Sequence, residues 1–216
     1  MTDAMVYVVD DDPRLLRAIS RLLQSHGFRV QAYASAPEFL SQKLPSVPAC
    51  LVLDLKMPEI SGLNVQEVLA RGNEYLPIIF VSGQADVASS VQAMRAGAVD
   101  FLIKPFDDAE LIAAVQKALS RSQKAREDRG QLNKDREAFD TLTPREREVC
   151  LGIAQGLLNK QVGYELGTAE KTVKAQRARV MQKLGAGSLA DVVRLVERLR
   201  TAGAIPALPV QPRRSA

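Results

Sequence analysis

The fold is indicated by residues 5–12, MVYVVDDD, in which a short apolar run leads directly into three aspartates. The valine-rich run Met5–Val9 is typical of a strand that is buried on both faces. Leucine and isoleucine then recur at helical spacing through Asp12–Ser25, and Gly27 follows at the position where a helix usually ends. These residues predict a strand, an acidic loop and a helix in succession.

This alternation of apolar and amphipathic runs continues to about residue 120. The further predicted strands are Phe28–Tyr33, Cys50–Leu53, Ile78–Val81 and Val99–Leu102. The further predicted helices are Ser35–Gln42, Gly62–Arg71, Asp86–Ala96 and a last helix beginning at Asp107. Five strand–helix repeats predict that residues 1–120 form an α/β domain, a doubly wound five-stranded parallel sheet with helices on both faces.

Helix-forming residues dominate the rest of the chain. Residues 121–138 are charged and good helix formers apart from Gly130, which predicts a solvated helical linker; a flexible coil is the alternative. Residues 139–203 contain no β-rich run and predict an all-α domain of four helices. These helices are Pro144–Gln155, Lys160–Leu166, Glu170–Leu184 and Ser188–Arg200. The proline-rich residues 204–216 predict a disordered tail.

Two local signals affect the stability of the all-α domain. Thr143 and Glu146 have the spacing of a capping box, which would begin the first of its helices. Gly163 lies inside the second predicted helix and is expected to cost that helix about 1 kcal/mol relative to alanine.

Composition excludes several classes of protein. The 216 residues are enough for two domains of roughly 100 residues each. Two cysteines, Cys50 and Cys150, and one histidine, His26, exclude a disulfide scaffold, a zinc site and a Cys–His catalytic dyad. This cysteine usage predicts a reducing compartment, the cytoplasm. The chain has neither the roughly 18-residue apolar run of a membrane span nor the basic N-terminus of a signal peptide.

Charge is distributed unevenly along the chain. Residues 1–120 hold 10 Lys or Arg and 14 Asp or Glu, a net charge of −4, whereas residues 121–216 hold 19 and 11, a net charge of +8. Such asymmetry favours a nucleic-acid-binding half joined to a half with another role; a solvated surface with no partner is the alternative.

Chemistry-bearing side chains follow the predicted strands of residues 1–120. Asp10 and Asp11 follow the first strand and Asp54 the third, while Ser82 follows the fourth and Lys104 the fifth. The carboxyl ends of parallel strands share one edge of the sheet, so we expect these side chains to converge. Clustered carboxylates repel one another unless a cation such as Mg²⁺ joins them. With the ion bound, Asp54 can attack phosphorus; for any single aspartate, helix capping is the alternative.

Enzyme alternatives fit these residues poorly. A phosphatase with an aspartate nucleophile would need a second acid two residues after Asp54, where Lys56 stands. A dinucleotide-binding enzyme would need a G-x-G-x-x-G turn after the first strand, where the sequence has three aspartates. We therefore predict that the chain is not an enzyme.

Four segments, VVDDD, LVLDLKMPEISG, FVSGQAD and AVDFLIKPF, resemble the motif regions of the two-component receiver domain over about residues 4–120. The resemblance implies a flavodoxin-like receiver with a Mg²⁺ site. It implies Asp54 as the phosphoacceptor, Asp11 as a direct metal ligand and Asp10 as a nearby or water-mediated one. It also implies that the backbone carbonyl of Lys56 contacts the metal.

The same resemblance implies a conformational switch. Lys104 and Ser82 would contact the transferred phosphoryl group, and Phe101 takes the aromatic switch position, with packing on a helix as the alternative role. In that family the serine and the aromatic ring move on phosphorylation and remodel the face formed by the fourth helix and fifth strand. Lys56 and Gln84 border the site and are expected to tune the lifetime of the phosphate.

The predicted helix Glu170–Leu184 has features of a DNA-reading helix. It carries five Lys or Arg and one acid, and Val173 and Val180 belong to its apolar stripe. A small, basic outer face suits the major groove, and the preceding helix Lys160–Leu166 has helix–turn–helix spacing. A basic amphipathic helix in a plain bundle is the alternative.

The segment beginning LTPREREV, with A-x-G-x-x-N-K and T-V-K after it, resembles the LuxR-type helix–turn–helix through about residue 200. The resemblance implies that Val173 packs inward while Thr172 and Lys174 face DNA. Ala175 and Gln176 stand where Val-His is common, and Gln176 could still bond a base or phosphate. The predicted DNA-binding residues are Lys160, Lys171, Thr172, Lys174, Ala175, Gln176 and Ala178.

Together the two resemblances identify a response regulator of the NarL/FixJ class, closest to the FixJ branch. They imply a phosphorylation-controlled transcriptional regulator whose partners are a sensor histidine kinase, promoter DNA, RNA polymerase and, on phosphorylation or on DNA, a second copy of the chain, with no membrane partner. Ser188–Arg200 would supply a dimer contact or part of its domain core. The alternative function is a phosphorylation-independent DNA-binding regulator with a structural receiver.

Overall fold

The computed structural model describes residues 4–44, 46–72, 75–83 and 87–205. The chain divides into two compact units between Glu127 and Asp128. Gln84, Asp86 and the tail from residue 206 onward, all of which carried predictions, lie outside the described residues. Within the described part of the chain, no helix is long and apolar enough to cross a membrane.

The first unit is the predicted five-stranded parallel sheet with helices on both faces. Its strands are β1 (Met5–Val9), β2 (Arg29–Tyr33), β3 (Ala49–Asp54), β4 (Ile78–Ser82) and β5 (Asp100–Ile103), in the order β2-β1-β3-β4-β5. Its helices are α1 (Pro13–Ser25), α2 (Ala36–Leu40), α3 (Gly62–Arg71), α4 (Val87–Arg95) and the first part of α5 (Asp108–Asp140). The predicted doubly wound α/β fold is confirmed.

Alternate strand residues fill a core on each face of this sheet. Tyr7 and Phe80 pack with Phe39 of α2 on one face. Val8 of the same strand β1 packs on the other face with Leu111 of α5. Because both faces are covered, the strands carry the near-continuous apolar runs that made them recognisable in the sequence.

Up to residue 205, the last that the structure describes, the second unit contains four helices after the end of α5, as predicted. They are α6 (Pro144–Ala154), α7 (Asn159–Glu165), α8 (Glu170–Lys183) and α9 (Leu189–Thr201). Their core joins Phe139 at the end of α5 to Val149 and Val173. The predicted capping box is present, because Glu146 N donates to Thr143 Oγ1 at 3.3 Å and Thr143 N donates to Glu146 Oε2 at 2.9 Å.

Helix α9 contributes mainly to the core of its own unit. Val192 and Val196, two of the apolar residues considered for a dimer contact, are fully buried there. Leu189 is exposed and Val193 is half-buried. The intradomain alternative therefore holds for the two buried valines, and only the outer residues of the helix are left for another molecule.

Residues 121–138 lie entirely within α5, so the coil alternative for the linker is wrong. The predicted solvated helix has two buried polar positions, because Ser122 and Asp135 are each only 3% exposed. Ser122 Oγ accepts a hydrogen bond from Ala49 N at 3.0 Å, and Asp135 pairs with Arg198 at 2.6 Å. The sequence did not indicate these two contacts, because charged residues surround both positions.

The end of α9 is also more ordered than predicted. Ala204 N donates to Leu199 O at 2.8 Å, and Ile205 packs against the core of the second unit. Residues 204 and 205, the first two of the predicted tail, thus contact the second unit.

Gly163 has a packing role that its helix propensity does not reveal. A Cβ at this position would lie 2.8 Å from the carbonyl oxygen of Thr168, and Thr168 N donates to Gly163 O at 2.8 Å. The backbone of α7 thus approaches the turn before α8 too closely for a side chain. The propensity cost predicted for Gly163 is therefore opposed by a packing requirement, because the methyl group of alanine would force this turn to move.

Exchange of Gly163 for alanine tests this close approach. Gly163→Ala is expected to lower the free energy of unfolding of the second unit by about 1–3 kcal/mol, because the methyl group must displace backbone. Gly130→Ala is the matched control: it lies within α5 in open space and should stabilise by up to about 1 kcal/mol. Urea unfolding followed by circular dichroism measures both; stabilisation by Gly163→Ala would contradict the packing role.

Candidate functional site

A lysine lies between two buried carboxylates at the carboxyl edge of the sheet. Asp10 follows β1, Asp54 ends β3 and Lys104 follows β5. Lys104 Nζ lies 2.7 Å from Asp10 Oδ2 and 2.5 Å from Asp54 Oδ1. The parallel topology thus brings together three side chains that are 44 to 94 residues apart in sequence.

Backbone amides hold the other oxygen of each carboxylate. Asp12 N donates to Asp10 Oδ1 at 2.9 Å, and Lys56 N donates to Asp54 Oδ2 at 2.8 Å. Each carboxylate is therefore fixed between the lysine and one loop amide. Asp12 itself is the N-cap of α1, with Arg14 N donating to its Oδ1 at 2.8 Å, and so its role is in the helix.

Burial and neighbouring charge act in opposite directions on these groups. Burial raises the pKa of Asp54, the hydrogen bond and charge of Lys104 lower it, and the charge of Asp10 raises it; the net pKa is raised. Burial alone would lower the pKa of Lys104, but its hydrogen bonds to Asp10 and Asp54 outweigh that effect and raise it. The lysine stays an ammonium group and offsets only one of two carboxylate charges.

The donor chemistry of this edge suits Mg²⁺, although the described residues contain no cluster of three acidic, histidine or cysteine side chains arranged to hold a metal ion. Asp10 and Asp54 supply carboxylate oxygens, the preferred ligands of a hard divalent cation. Asp11 is exposed on the loop after β1, and Lys56 follows Asp54 closely enough to offer a carbonyl. The four-residue ligand set stays a prediction.

The predicted switch residues occupy neighbouring strands. Ser82 is buried at the end of β4, and its carbonyl accepts a hydrogen bond from Lys104 N at 2.8 Å. Phe101 of β5 is half-buried, with its ring centroid 6.3 Å from that of Phe80. Packing on the core therefore describes Phe101 in this structure, and its role in a switch stays a prediction.

Gly62 is a site residue that the sequence reasoning missed. A Cβ there would lie 2.5 Å from the carbonyl oxygen of Asp54 and 2.9 Å from the ring of Phe80, while Gly62 N donates to Leu55 O at 3.0 Å. The first turn of α3 thus presses directly on the backbone that carries Asp54. The sequence signal available was a glycine at the start of a predicted helix. Glycine alone at such a position does not indicate a close backbone contact, because helix starts tolerate several residue types.

The second unit presents a basic face on α8. Val173 and Val180 are fully buried and fix the orientation of the helix. The exposed residues among those predicted to bind DNA are Lys160 on α7 and Lys171, Thr172, Lys174, Ala175 and Ala178 on α8. Their contacts with DNA stay predictions, but each side chain is accessible.

Gln176 is placed differently from the other predicted DNA-binding residues. It is half-buried, and its Oε1 is buried without a hydrogen-bond partner among the described residues. It sits between the buried and exposed faces of α8, so its amide oxygen faces protein rather than the outer surface. A base contact from Gln176 would require its side chain to turn.

Three polar contacts hold α8 and the turn before it. Arg177 Nη1 donates to Asn159 Oδ1 at 3.3 Å, and Lys183 Nζ lies 2.6 Å from Glu146 Oε2. Arg145 donates to the carbonyl of Leu166 at the end of α7. The middle and the C-terminal end of α8 are therefore tied to preceding helices, which positions its exposed face.

Glu146 accepts hydrogen bonds from both Thr143 and Lys183. Its hydrogen bond from Lys183 and the backbone bond from Thr143 lower the pKa of its carboxyl to about 2. The same carboxylate begins α6 and pairs with the end of α8. Loss of its charge would release both contacts.

Two protein families match the chain. The response regulator receiver domain matches residues 6–116, and the family of bacterial regulatory proteins of the luxR type matches residues 140–196. The first match contains the Asp10–Asp54–Lys104 edge, and the second contains α6, α7 and α8.

Several relatives align with nearly the whole chain. The chain is 48% identical over 198 residues to nodulation protein W of Bradyrhizobium diazoefficiens, covering 92% of this chain and 87% of that protein. It is 38% identical over 204 residues to the transcriptional regulatory protein FixJ of Azorhizobium caulinodans, covering 94% and 97%. A solved structure of the response regulator StyR matches with a TM-score of 0.79 and 40% identity, covering 90% of this chain and 98% of that one.

Glu146 is expected to make the second unit sensitive to acid. Its pKa is about 2 in the folded unit against a usual value of 4.5, so its stabilisation is complete above pH 4.5 and is lost as the pH falls toward 2. Glu146→Gln should remove this part of the pH dependence. Glu148→Gln, at an exposed position on the same helix, should keep it. Thermal midpoints between pH 7 and pH 2 measure the effect; parallel profiles for wild type and Glu146→Gln would contradict it.

Proposed function

The chain belongs to the two-component response regulators that join a receiver domain to a LuxR-type DNA-binding domain, and from this membership we propose that phosphorylation of Asp54 controls its binding to promoter DNA. The family consists of transcription regulators rather than enzymes. The observation that carries the proposal is the Asp10–Lys104–Asp54 arrangement, in which a buried carboxylate of raised pKa lies against one ammonium group.

The proposed reaction transfers a phosphoryl group from a phosphohistidine of a sensor histidine kinase. An oxygen of Asp54 forms a bond to phosphorus while the bond from phosphorus to the histidine nitrogen breaks, and the released imidazole nitrogen takes a proton. Lys104 would offset charge on the transferred oxygens. Asp10, Asp11, Asp54 and the Lys56 carbonyl would hold Mg²⁺, which when bound supplies further charge neutralisation.

The proposed switch runs from Ser82 to the face of α4 and β5. The Ser82 hydroxyl would donate a hydrogen bond to a phosphoryl oxygen, and Phe101 would change its packing next to β4. This face carries exposed apolar side chains, Val87, Met94 and Ile103, around a cavity of about 370 Å³. Exposed apolar surface of this kind favours contact with another protein, which supports pairing of two copies on phosphorylation.

The proposed DNA contact uses the exposed face of α8 in the major groove. Lys174, Lys171 and Thr172 would contact base edges or nearby phosphates, the alanines would allow close approach, and Lys160 would contact the phosphate backbone. Two copies bound to adjacent half-sites would bind more tightly than one. We place the protein in the cytoplasm, where promoter DNA and RNA polymerase, a further proposed partner, are found.

Phosphate uptake tests the role of Asp54. Wild-type protein with Mg²⁺ and acetyl phosphate is expected to gain one base-labile phosphate by intact mass, and Asp54→Asn should gain none because the amide is not a nucleophile. Asp12→Asn, a change in the same loop that preserves the helix cap, should retain uptake. Full uptake by Asp54→Asn would overturn the assignment, and DNA affinity indifferent to uptake would favour a phosphorylation-independent regulator.

Two lysine variants test how α7 and α8 meet DNA. For duplexes selected from a random library, Lys174→Ala is expected to weaken the binding free energy by about 1–3 kcal/mol and to relax the sequence preference. Lys160→Ala should weaken binding to selected and scrambled duplexes alike. It should also reduce the slope of the logarithm of the binding constant against the logarithm of salt concentration by about one. Fluorescence anisotropy at several salt concentrations separates the two effects. Unchanged binding by both variants would argue against this docking.

A further inference from the structure

Helix α4 is held to the first unit by few buried side chains. Among its described residues Ala93 is the one that is buried, while Val87, Val91 and Met94 are 74%, 42% and 45% exposed. Helices with little buried apolar surface lie at the low-stability end of a structure and open or shift at small cost. Polar contacts to α4 therefore contribute a large share of the interactions that fix its position.

Gln66 of α3 makes two such contacts. Its side chain is buried, and its Nε2 donates to Ala93 O and to Ala96 O, each at 3.2 Å. Ala93 lies in the last turn of α4 and Ala96 directly follows the helix, where carbonyl oxygens lack partners within the helix itself. One amide group thus closes the end of α4 and connects it to α3.

The connection extends from α4 to the strand beside the acidic site. Ala98 N also donates to Ala93 O at 3.1 Å, and Val99 N donates to Ile78 O at 2.7 Å at the start of the pairing between β4 and β5. The carbonyl that accepts from Gln66 therefore also fixes the turn that leads into β5. Movement of α4 away from α3 would disturb this turn.

We propose that Gln66 is a positioning residue that tethers α4 in the arrangement of this structure and opposes the rearrangement of the α4–β5 face. This inference rests on the proposed function, in which that face changes when Asp54 is phosphorylated. Gln66 touches none of the reacting groups. It acts on the equilibrium between two positions of α4, and the phosphoryl group must overcome its two hydrogen bonds.

The chemistry of the tether defines the variant that tests it. Gln66→Met keeps a long, unbranched side chain and removes the donor. The Ala96 carbonyl then loses the Gln66 hydrogen bond, and the Ala93 carbonyl keeps only the bond from Ala98 N. A position of α4 that exposes these carbonyls to water then becomes relatively more favourable. The affinity for a phosphoryl mimic, which binds the rearranged form better, is expected to rise about three- to tenfold.

The experiment titrates full-length protein with beryllofluoride in the presence of Mg²⁺ and follows hydrogen exchange at the end of α4. Gln66→Met should bind beryllofluoride about three- to tenfold more tightly, with faster exchange at Gly97 and Ala98. Gln24→Met, the same exchange at an exposed position on α1, should match wild type in both measurements. Gln66→Glu, whose carboxylate cannot donate, should also bind beryllofluoride more tightly and exchange faster at Gly97 and Ala98. This second variant tests the proposal if Gln66→Met does not fold.

The outcomes separate this proposal from the proposed function. Faster exchange at Gly97 with unchanged or weaker beryllofluoride binding would reduce Gln66 to a structural cap and overturn the tether. Beryllofluoride that binds neither wild type nor variant would refute phosphorylation at Asp54 and the tether together. Tighter binding by both Gln66 variants, with the Gln24 control unchanged, is the result that the tether requires.

Discussion

The ion pairs of Lys104 with Asp10 and Asp54 depend on the whole topology of the first unit. Asp10 and Asp54 come from the adjacent strands β1 and β3, whereas Lys104 comes from the far edge of the sheet beyond β4. A change in strand order or direction would separate these groups. One ammonium group faces two buried carboxyl groups, so its single charge can balance only one of them when both are ionised. The proposed Mg²⁺ would neutralise the remaining charge.

The same features explain how far the sequence could be interpreted. Strands such as β3 are buried along their whole length, so an uninterrupted apolar run was sufficient to predict them. Side chains at strand ends were predictable because topology alone brings them together. Ser122 and Asp135 were not, because their burial depends on which side of α5 meets other elements, and the charged residues around them give no periodic signal. The half-burial of Gln176 was not predictable, because its position lies at the border between the two faces of α8.

Close backbone approach was the other feature that sequence could not reveal. Gly62 allows the first turn of α3 to reach the carbonyl of Asp54, and Gly163 allows α7 to reach the carbonyl of Thr168 before α8. Each glycine contacts backbone from a different segment of the chain. Helix propensity therefore predicts that alanine at position 163 would stabilise the unit, whereas the contact predicts the opposite. At position 62 helix propensity does not indicate the contact at all. In both units a missing side chain determines where a functional residue or helix lies.

The two units differ in how firmly they hold their functional helices. Helix α8 is fixed by buried valines and by contacts of Arg177 and Lys183 with preceding helices, so its exposed lysines are carried on a rigid support. Helix α4 has one buried side chain among its described residues and a polar connection to Gln66. In the proposed switch, a phosphoryl group at Asp54 shifts the position of α4 only by the difference between its interaction energies with the two arrangements, and a helix with few buried contacts needs the smaller difference. The proposed regulation therefore needs a movable face only on the first unit, and it leaves the proposed DNA-binding face of α8 unchanged.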